Sequence, residues 1–325
     1  MTVLVTGTAG FIGYFTTLAL LEGGRRVIGI DNLNDYYDVS LKKARLEELL
    51  KHDGFTFSQI DIAERADVET LFKDHAEISE VIHLAAQPGV RYSLINPYAY
   101  TRSNIEGHLV LLEVSRRLKG LKHFVYASSS SVYGDSDDVP FSTDKRTDSP
   151  VSLYAATKKS MEMMSHAYAH LYRMPLTGLR FFTVYGPWGR PDMAYYIFTR
   201  KILAGEPIPV FNNGKMRRDF TYIDDIVAGI LACLSKPPVD VGPPPCRIYN
   251  IGNNKTESLM DFIAAIEAAL GLKAQIDFQP MQAGDVKETF ADIDAMSEDF
   301  GFAPSTGIDV GIPKFIQWYK KFYSI

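Results

Sequence analysis

The fold is decided by eight residues near the start of the chain, Thr6-Gly7-Thr8-Ala9-Gly10-Phe11-Ile12-Gly13. They follow a short β-branched run and open an amphipathic stretch, so they predict a strand, a glycine-rich turn and a helix. Glycines here permit a tight turn and let backbone amides at the helix N-terminus approach a pyrophosphate. The spacing is one residue longer than that of the commonest dinucleotide fingerprint. The main support for dinucleotide binding is therefore the position of this turn between a strand and a helix.

The same alternation continues through the first half of the chain. It is typical of an α/β fold with a Rossmann-type doubly wound parallel sheet. The predicted strands are 3–5, 27–30, 55–60, 81–84 and 123–126, and the predicted helices are 11–22, 40–51, 67–74, 98–118 and 152–172. After about Arg180, prolines and glycines interrupt the rhythm. We therefore expect residues 1–180 to form a nucleotide-binding domain that 222–252 rejoin, and 181–325 to form mainly a smaller C-terminal α/β substrate lobe.

Length and composition exclude several classes of protein. The 325 residues are 46% hydrophobic with a net charge of −5, which excludes disorder and gives no basic surface for nucleic acid. No apolar run reaches the roughly 18 residues of a membrane span, and the chain begins with a predicted strand rather than a secretory signal. Two cysteines, Cys233 and Cys246, are too few for a disulfide framework or a zinc site. We expect a cytoplasmic protein that binds no metal, membrane or nucleic acid.

Asp31 ends the second predicted strand, 18 residues after Gly13. A carboxylate at this place can accept hydrogen bonds from an adenosine ribose and would repel a 2′-phosphate, which favours NAD over NADP. Asp61 and Ile62, after the third strand, are candidate adenine contacts. The alternative is a structural turn with a surface aspartate.

Tyr154 and Lys158 share one face of the predicted helix 152–172, because residues i and i+4 are neighbours on a helix. Tyrosine, with a pKa of about 10, is a poor base at neutral pH, but a nearby ammonium lowers that pKa. A serine run, 128–131, follows the fifth strand at the carboxyl end of the sheet, where ligands bind. One of these hydroxyls can hold a substrate hydroxyl against the tyrosine. The alternatives are a solvated helix face and a flexible loop.

These residues belong to a longer resemblance that covers essentially the whole chain. The sequence resembles the extended short-chain dehydrogenase/reductases, and among them the sugar-nucleotide 4-epimerases. The stretches that carry the resemblance are 6–13, 31–33, 83–86, 126–134, 154–158, 180–183, 218–224 and 284–285. Two more stretches, Gln87-Pro-Gly-Val-Arg91 and Tyr185-Gly-Pro-Trp-Gly-Arg-Pro-Asp-Met-Ala194, are more similar to the members that act on UDP-glucuronate than to those that act on UDP-glucose.

The resemblance implies a tightly bound NAD that is regenerated in each turnover. It implies that Lys158 hydrogen-bonds the nicotinamide ribose, that Phe182 lies beside the nicotinamide and that Asn104 steadies the active-site loops. The implied cofactor contacts are Gly7, Gly10, Phe11, Ile12, Gly13, Asp31, Asn32, Asp61, Ile62, Leu84, Ala85, Ala86, Gln87, Asn104, Tyr154, Lys158 and Phe182.

The resemblance also implies a UDP-sugar substrate and the catalytic residues Ser129, Tyr154 and Lys158. Thr183 would lie beside the diphosphate, and Arg218 and Asp285 would hold the diphosphate and the uridine ribose. Gln282 departs from the pattern, because many UDP-glucose epimerases have a phosphate-binding arginine there. The implied substrate contacts are Arg91, Ser129, Ser130, Ser131, Thr183, Arg190, Phe211, Arg218 and Asp285.

The residues after the catalytic serine predict the group at C6 of the sugar. Ser130 and Ser131 stand where the related dehydratases and decarboxylases carry an acidic residue, which would repel a carboxylate. Hydroxyl donors and a bidentate Arg190 can instead bind one. Arg190 can also be a loop cation, and Arg91 suits a structural salt bridge as well as a ligand.

We therefore expect an isomerase that interconverts UDP-glucuronic acid and UDP-galacturonic acid by oxidation at C4, rotation of the 4-keto sugar and re-reduction. A homodimer through helices 98–118 and 152–172 is implied by the resemblance. Four alternatives stay open: a UDP-glucose or UDP-N-acetylglucosamine 4-epimerase, a UDP-glucuronate decarboxylase, a dehydrogenase that releases NADH, and an inactive NAD-binding scaffold. A neutral C6 would not need Arg190.

Overall fold

The computed structural model describes residues 1–282 and 285–325, so Gly284, which carries part of the resemblance, lies outside the described residues. The strands are β1 Thr2–Thr6, β2 Arg26–Asp31, β3 Phe55–Gln59, β4 Ile78–His83, β5 His123–Ser129, β6 Leu176–Phe181, β7 Thr183–Tyr185, β8 Ile208–Val210, β9 Arg217–Arg218, β10 Phe220–Tyr222, β11 Cys246–Ile251, β12 Glu257–Ser258 and β13 Ile276–Phe278. The helices are α1 Phe11–Glu22, α2 Val39–Leu49, α3 Arg65–Asp74, α4 Pro97–Tyr100, α5 Gly107–Ser115, α6 Leu153–Tyr172, α7 Ala194–Leu203, α8 Ile223–Leu234, α9 Leu259–Leu270, α10 Asp294–Phe300 and α11 Ile308–Tyr323.

Seven parallel strands form the central sheet in the order β11-β6-β5-β4-β1-β2-β3. The chain builds outward from β1 to β3, then crosses back and builds outward on the other side from β4. The reversal lies between β1 and β4, which is where open α/β sheets bind ligands, at the carboxyl ends of the strands. The fold class predicted from the alternation is confirmed.

The sheet contains two strands that the alternation did not predict, β6 and β11. β11 pairs with β6 along its whole length, from Cys246 opposite Leu176 to Ile251 opposite Phe181. The helix before it, α8, packs on α1 and on β5. Residues 223–251 thus lie against the nucleotide-binding half, although the division of the chain near residue 180 stays a prediction.

The helices follow the predicted boundaries to within two residues, except at the end of the helix predicted for 98–118. The predicted helix 98–118 is built from α4, a π-helical segment Thr101–Glu106 and α5, and it ends at Ser115. The last predicted residues, 116–118, leave the helix because the chain turns there toward β5. α6 begins one residue later than predicted, since the Ser152 side chain caps it by accepting from the Ala155 amide at 3.1 Å.

The lobe is built from pairs of very short strands: β7 with β10, β8 with β13 and β9 with β12. An aromatic core holds them against α7, α9 and α11. In it, Phe220 and Phe262 stack with ring centroids 3.9 Å apart, and the Tyr185 hydroxyl donates to the Gly307 carbonyl at 2.9 Å. Within the described residues, none of the helices has the length and apolar character needed to cross a membrane.

Candidate active site

A cleft of about 870 Å³ lies between the carboxyl ends of the central strands and the lobe. All predicted contacts line it except Gln87 and Asn104, which are buried beside it. The residues selected from the sequence thus come together around one cleft, from the glycine turn at one end to Asp285 at the other. The role of each residue stays a prediction.

The glycine-rich turn leaves room for a ligand at the N-terminus of α1. Gly7 has a φ of +73°, and a Cβ there would lie 2.8 Å from the Ala85 amide nitrogen. Gly10 is the N-cap residue, so no side chain caps the first amides of the helix. Those amides are open to an anion, which the helix dipole favours. The turn thus fits the pyrophosphate of a dinucleotide.

Asp31 is held rigidly at the end of β2. Its Oδ1 accepts from the Leu33 amide at 2.8 Å and its Oδ2 from the Ala9 amide at 3.2 Å. Burial raises the pKa of this carboxyl, and the nearby Lys42 ammonium opposes that rise. Each oxygen keeps a lone pair for a ribose hydroxyl. Asp61 accepts from Asn32 Nδ2 at 3.4 Å and also lines the cleft.

Ser129 and Tyr154 meet at the end of β5. Burial raises the pKa of the Tyr154 hydroxyl, while a hydrogen bond with Ser129 and the charge of Arg190 lower it. Lys158, predicted from sequence to lower that pKa, donates instead to the Ala127 carbonyl at 2.8 Å. Burial lowers the pKa of Lys158 to about 7. Among the described residues, the Arg190 guanidinium is a cation that lowers the pKa of Tyr154.

A buried polar network supports the serine run from behind, and sequence reasoning missed it. Ser128 Oγ donates to Glu162 Oε1 at 2.6 Å, and Arg180 donates to both Glu162 oxygens at 2.8 and 2.9 Å. The Arg180 guanidinium lies 4.8 Å from the centre of the Tyr133 ring. Glu162 lies four residues after Lys158 on α6, which is the signal that places it on the same helix face.

Asn104 and Gln87 lie next to the cleft and fix the loop that borders it. Asn104 Oδ1 accepts from the Gln87 amide at 2.8 Å, and Asn104 Nδ2 donates to the Gln87 carbonyl at 3.1 Å and to Thr157 Oγ1 at 3.0 Å. These bonds join the loop after β4 to α6 beside Tyr154. Asn104 lies in the π-helical segment, a local geometry that often occurs at functional sites.

Three charged residues lie together at the lobe end of the cleft. Arg91 Nη2 donates to Asp285 Oδ2 at 2.9 Å, and its guanidinium lies 4.6 Å from the centre of the Phe211 ring. Arg218 holds the neighbouring loop through the carbonyl of Val286, at 2.6 Å. Of the two roles left open for Arg91, the structure contains the salt bridge. Burial lowers the pKa of Arg218, and the Asp285 carboxylate opposes that effect.

Arg190 is paired with a residue that sequence reasoning did not single out. Its Nε and Nη2 donate to Asp192 Oδ1 and Oδ2 at 3.0 and 2.6 Å, and the Tyr36 hydroxyl donates to Asp192 Oδ2 at 3.0 Å. The bidentate edge predicted for a substrate carboxylate is thus used by Asp192, because that carboxylate is two residues away. Arg190 also lines the cleft, and within the described residues its Nη1 makes no hydrogen bond.

The chain is similar to known proteins along essentially its whole length. Residues 3–252 match the model of the NAD dependent epimerase/dehydratase family. The chain is 47% identical to UDP-glucuronate 4-epimerase 4 of Arabidopsis thaliana, covering 100% of this chain and 76% of the relative. It is 44% identical to the probable UDP-glucuronate 4-epimerase of Rhizobium meliloti, over 99% of this chain and 98% of the relative.

A solved structure is similar over its full length. It is the UDP-glucuronic acid 4-epimerase of Bacillus cereus in complex with UDP-glucuronic acid and NAD, 35% identical, with a TM-score of 0.92 over 99% of this chain and 100% of that one. Its complex contains both molecules for which the residues of the cleft were selected from the sequence.

Proposed function

Since this chain belongs to the NAD dependent epimerase/dehydratase family, we propose that it is an isomerase that interconverts UDP-glucuronic acid and UDP-galacturonic acid at C4 of the sugar. The observation that carries the proposal is the position of Arg190. The charge of Arg190 lowers the pKa of Tyr154, and both residues line one cleft with Ser129, Ser130 and Ser131. A cation and three hydroxyls beside the catalytic tyrosine suit a sugar with a carboxylate at C6.

NAD would lie along the carboxyl ends of β1, β2 and β4. The amides of α1 would hold its pyrophosphate, Asp31 its adenosine ribose and Lys158 its nicotinamide ribose. When bound, NAD supplies the acceptor and donor for the hydride of C4. We propose that NAD and the UDP sugar are bound by the cofactor contacts and the substrate contacts predicted from the sequence.

Tyr154 would move the proton of the 4-hydroxyl. As phenolate it accepts that proton while Ser129 holds the hydroxyl oxygen, and as phenol it returns the proton when the sugar is reduced. Burial opposes the phenolate, whereas the Ser129 hydrogen bond and the Arg190 charge favour it. General acid–base assistance of this kind contributes about 10²–10⁴-fold to the rate.

The C6 carboxylate would be held by Ser130, Ser131 and the Nη1 side of Arg190. A 4-keto glucuronate is a β-keto acid, which loses carbon dioxide readily when its carboxylate is aligned for the cleavage. Charge-assisted hydrogen bonds that fix the carboxylate oppose that alignment. The same contacts would therefore favour binding of UDP-glucuronic acid and protect its 4-keto form from loss of carbon dioxide.

The experiment that tests the proposed function needs no added cofactor. Purified protein is incubated with UDP-glucuronic acid, and the anomeric proton signals are followed by NMR. We expect the signals of UDP-galacturonic acid to appear and reach a stable ratio, without net change in absorbance at 340 nm. If UDP-glucose is epimerised and UDP-glucuronic acid is not, even with NAD added, the proposal is wrong.

A second experiment tests the protective role of Arg190. In Arg190→Ala, we expect UDP-pentose to appear as a by-product because the carboxylate is no longer fixed. Arg146→Ala is the matched control, since the Arg146 side chain is 93% exposed and absent from the lining of the cleft. An unchanged product ratio in Arg190→Ala would show that the guanidinium does not restrain the carboxylate.

We also propose a homodimer through the outer faces of α5 and α6. Leu109 is 40% exposed, and Met163 and Leu171 are each 64% exposed, so these helices present apolar side chains to solvent. A second copy of the same face would cover them. Light scattering should give twice the chain mass for the wild type and the monomer mass for Met163→Glu/Leu171→Glu. A monomeric wild type would overturn the proposal.

A cytoplasmic location belongs to the same proposal. Both cysteines of the chain are free thiols, and Cys233 is buried. Free thiols suit a reducing compartment, where disulfides are rare. Cell fractionation with antibody detection tests the location, and recovery outside the cytoplasmic fraction would contradict it.

A further inference from the structure

The loop that carries Arg190 is tied to the nucleotide-binding half of the molecule at two points. The first is the Asp192 carboxylate, which accepts from Arg190 on one side and from the Tyr36 hydroxyl on the other. Tyr36 belongs to the loop that follows β2 and begins with Asn32, directly after Asp31. The orientation of Arg190 is therefore shared with the loop that borders the adenosine end of the cleft.

The second point is Arg45, a fully buried arginine on α2. Its Nη1 donates to the Ala9 carbonyl in the glycine-rich turn at 2.8 Å. Its Nη2 donates to the carbonyls of Trp188 and Gly189 at 2.5 and 3.2 Å. One guanidinium thus joins the pyrophosphate turn to the two residues that precede Arg190.

The backbone between these two points leaves little freedom. Trp188 has a φ of +58°, in the left-handed region that a bulky residue enters at a cost. A Cβ at Gly189 would lie 1.9 Å from the Tyr195 hydroxyl, so the chain packs directly on that ring. A strained residue and a close approach persist where surrounding contacts over-determine them, and here Arg45 supplies two of those contacts.

We propose that Asp192, Tyr36 and Arg45 are positioning residues that hold Arg190 toward the sugar carboxylate, so that the nucleotide-binding half sets the selectivity for a charged substrate. This inference rests on the proposed function. None of the three residues needs to touch the sugar. They act on substrate affinity through Arg190. The affinity for a UDP sugar with a carboxylate therefore depends on them far more than the affinity for a neutral one.

The test measures binding rather than turnover. In a Tyr154→Phe background loaded with NAD, calorimetry gives the Kd of UDP-glucuronic acid and of UDP-glucose. Asp192→Asn removes the charge that orients Arg190, and we expect the preference for UDP-glucuronic acid to fall about tenfold or more. Tyr36→Phe removes one hydrogen bond to Asp192, and we expect a fall of about threefold. The Kd of UDP-glucose should change by less than about twofold in both, as expected away from a direct contact.

The chain offers a matched control pair. The Tyr249 hydroxyl donates to Asp299 Oδ2 at 2.5 Å, and neither residue lines the cleft. Tyr249→Phe and Asp299→Asn therefore remove the same kinds of group and should leave the preference unchanged. A preference unaltered by Asp192→Asn, or equal weakening of both ligands, would overturn the inference while the proposed function stands. A background protein that binds UDP-glucose but not UDP-glucuronic acid would overturn both.

Discussion

The two walls of the cleft hold their groups in different ways. On the nucleotide side, the chain offers backbone amides at a glycine turn, and the carboxylate of Asp31 is itself fixed by two amides. On the lobe side, charged side chains line the cleft in pairs, Arg91 with Asp285 and Arg190 with Asp192. One wall therefore depends on the path of the backbone and the other on the choice of side chain. Between the two walls lie the buried residues proposed for catalysis, Ser129, Tyr154 and Lys158.

The largest expected effect concerns that buried set. In Tyr154→Phe, we expect kcat to fall about 10²–10⁴-fold, because the proton of the 4-hydroxyl loses its acceptor. The Kd of UDP-glucuronic acid should change little, since both walls remain. NMR rates and calorimetry measure the two quantities. Tyr168→Phe, farther along α6, is the control, and comparable loss there would mean that the helix rather than the hydroxyl matters.

The second effect is a pH dependence of stability in the NAD-free protein. Folded Lys158 releases its proton above about pH 7, whereas unfolded lysine keeps it to about 10.4. The unfolded state binds more protons in this window, so Lys158 makes the free energy of unfolding rise with pH there, and that contribution is lost as the pH falls through 7. The change is on the order of a few kcal/mol.

Urea unfolding at pH 7 and pH 9.5 measures this contribution. We expect the rise to be smaller in Lys158→Met than in the wild type. It should persist in Lys159→Met, which removes the neighbouring lysine of the same helix. Equal pH dependence in all three proteins would mean that Lys158 keeps its proton in the folded state.

The third effect tests the nucleotide wall directly. Gly7 and Gly24 both have a φ of +73°, but a Cβ at Gly24 meets nothing within 4 Å. Gly24→Ala should therefore cost about 1–2 kcal/mol for its backbone conformation alone. Gly7→Ala adds the collision with Ala85 and should lower both the Tm and the NAD content of the purified protein further. If the two variants behave alike, the close approach at Gly7 is not important.

The smallest effect tests the lobe wall. In Arg91→Ala, we expect the KM to rise about two- to tenfold, since exposed ion pairs contribute little individually. UDP-glucuronic acid and UDP-glucose should be affected alike, because Arg91 lies with Asp285 and Arg218 at the end proposed for the uridine diphosphate. Arg65→Ala breaks an exposed ion pair with Glu69 as control. A loss confined to UDP-glucuronic acid would assign Arg91 to the carboxylate instead.

Much of the fold was predictable because buried parallel strands leave a mark in the sequence. The first five strands are runs of apolar and β-branched residues bounded by turns. β6 was missed because it contains Gly178, packed against the Tyr126 ring, and Arg180, buried with Glu162. Both residues read as surface or loop residues until their distant partners are known.

The site was predictable where its chemistry is local in the chain. The glycine turn, the serine run and the pair Tyr154 and Lys158 each lie within a few residues. The support of Arg190 was not predictable, because Tyr36 and Asp192 are 156 positions apart and Arg45 and Trp188 are 143 apart. No periodicity relates such positions, since the packing of the lobe on α2 brings them together.

The place of β11 at the edge of the sheet has a consequence for synthesis of the chain. β6 leaves the ribosome about seventy residues before its partner, and until residue 251 has emerged, one edge of β6 presents unpaired amides and carbonyls. The nascent sheet therefore stays open on that side while α7, the strands β7 to β10 and α8 are being made. During this interval we expect the chain to depend on chaperones that cover strand edges.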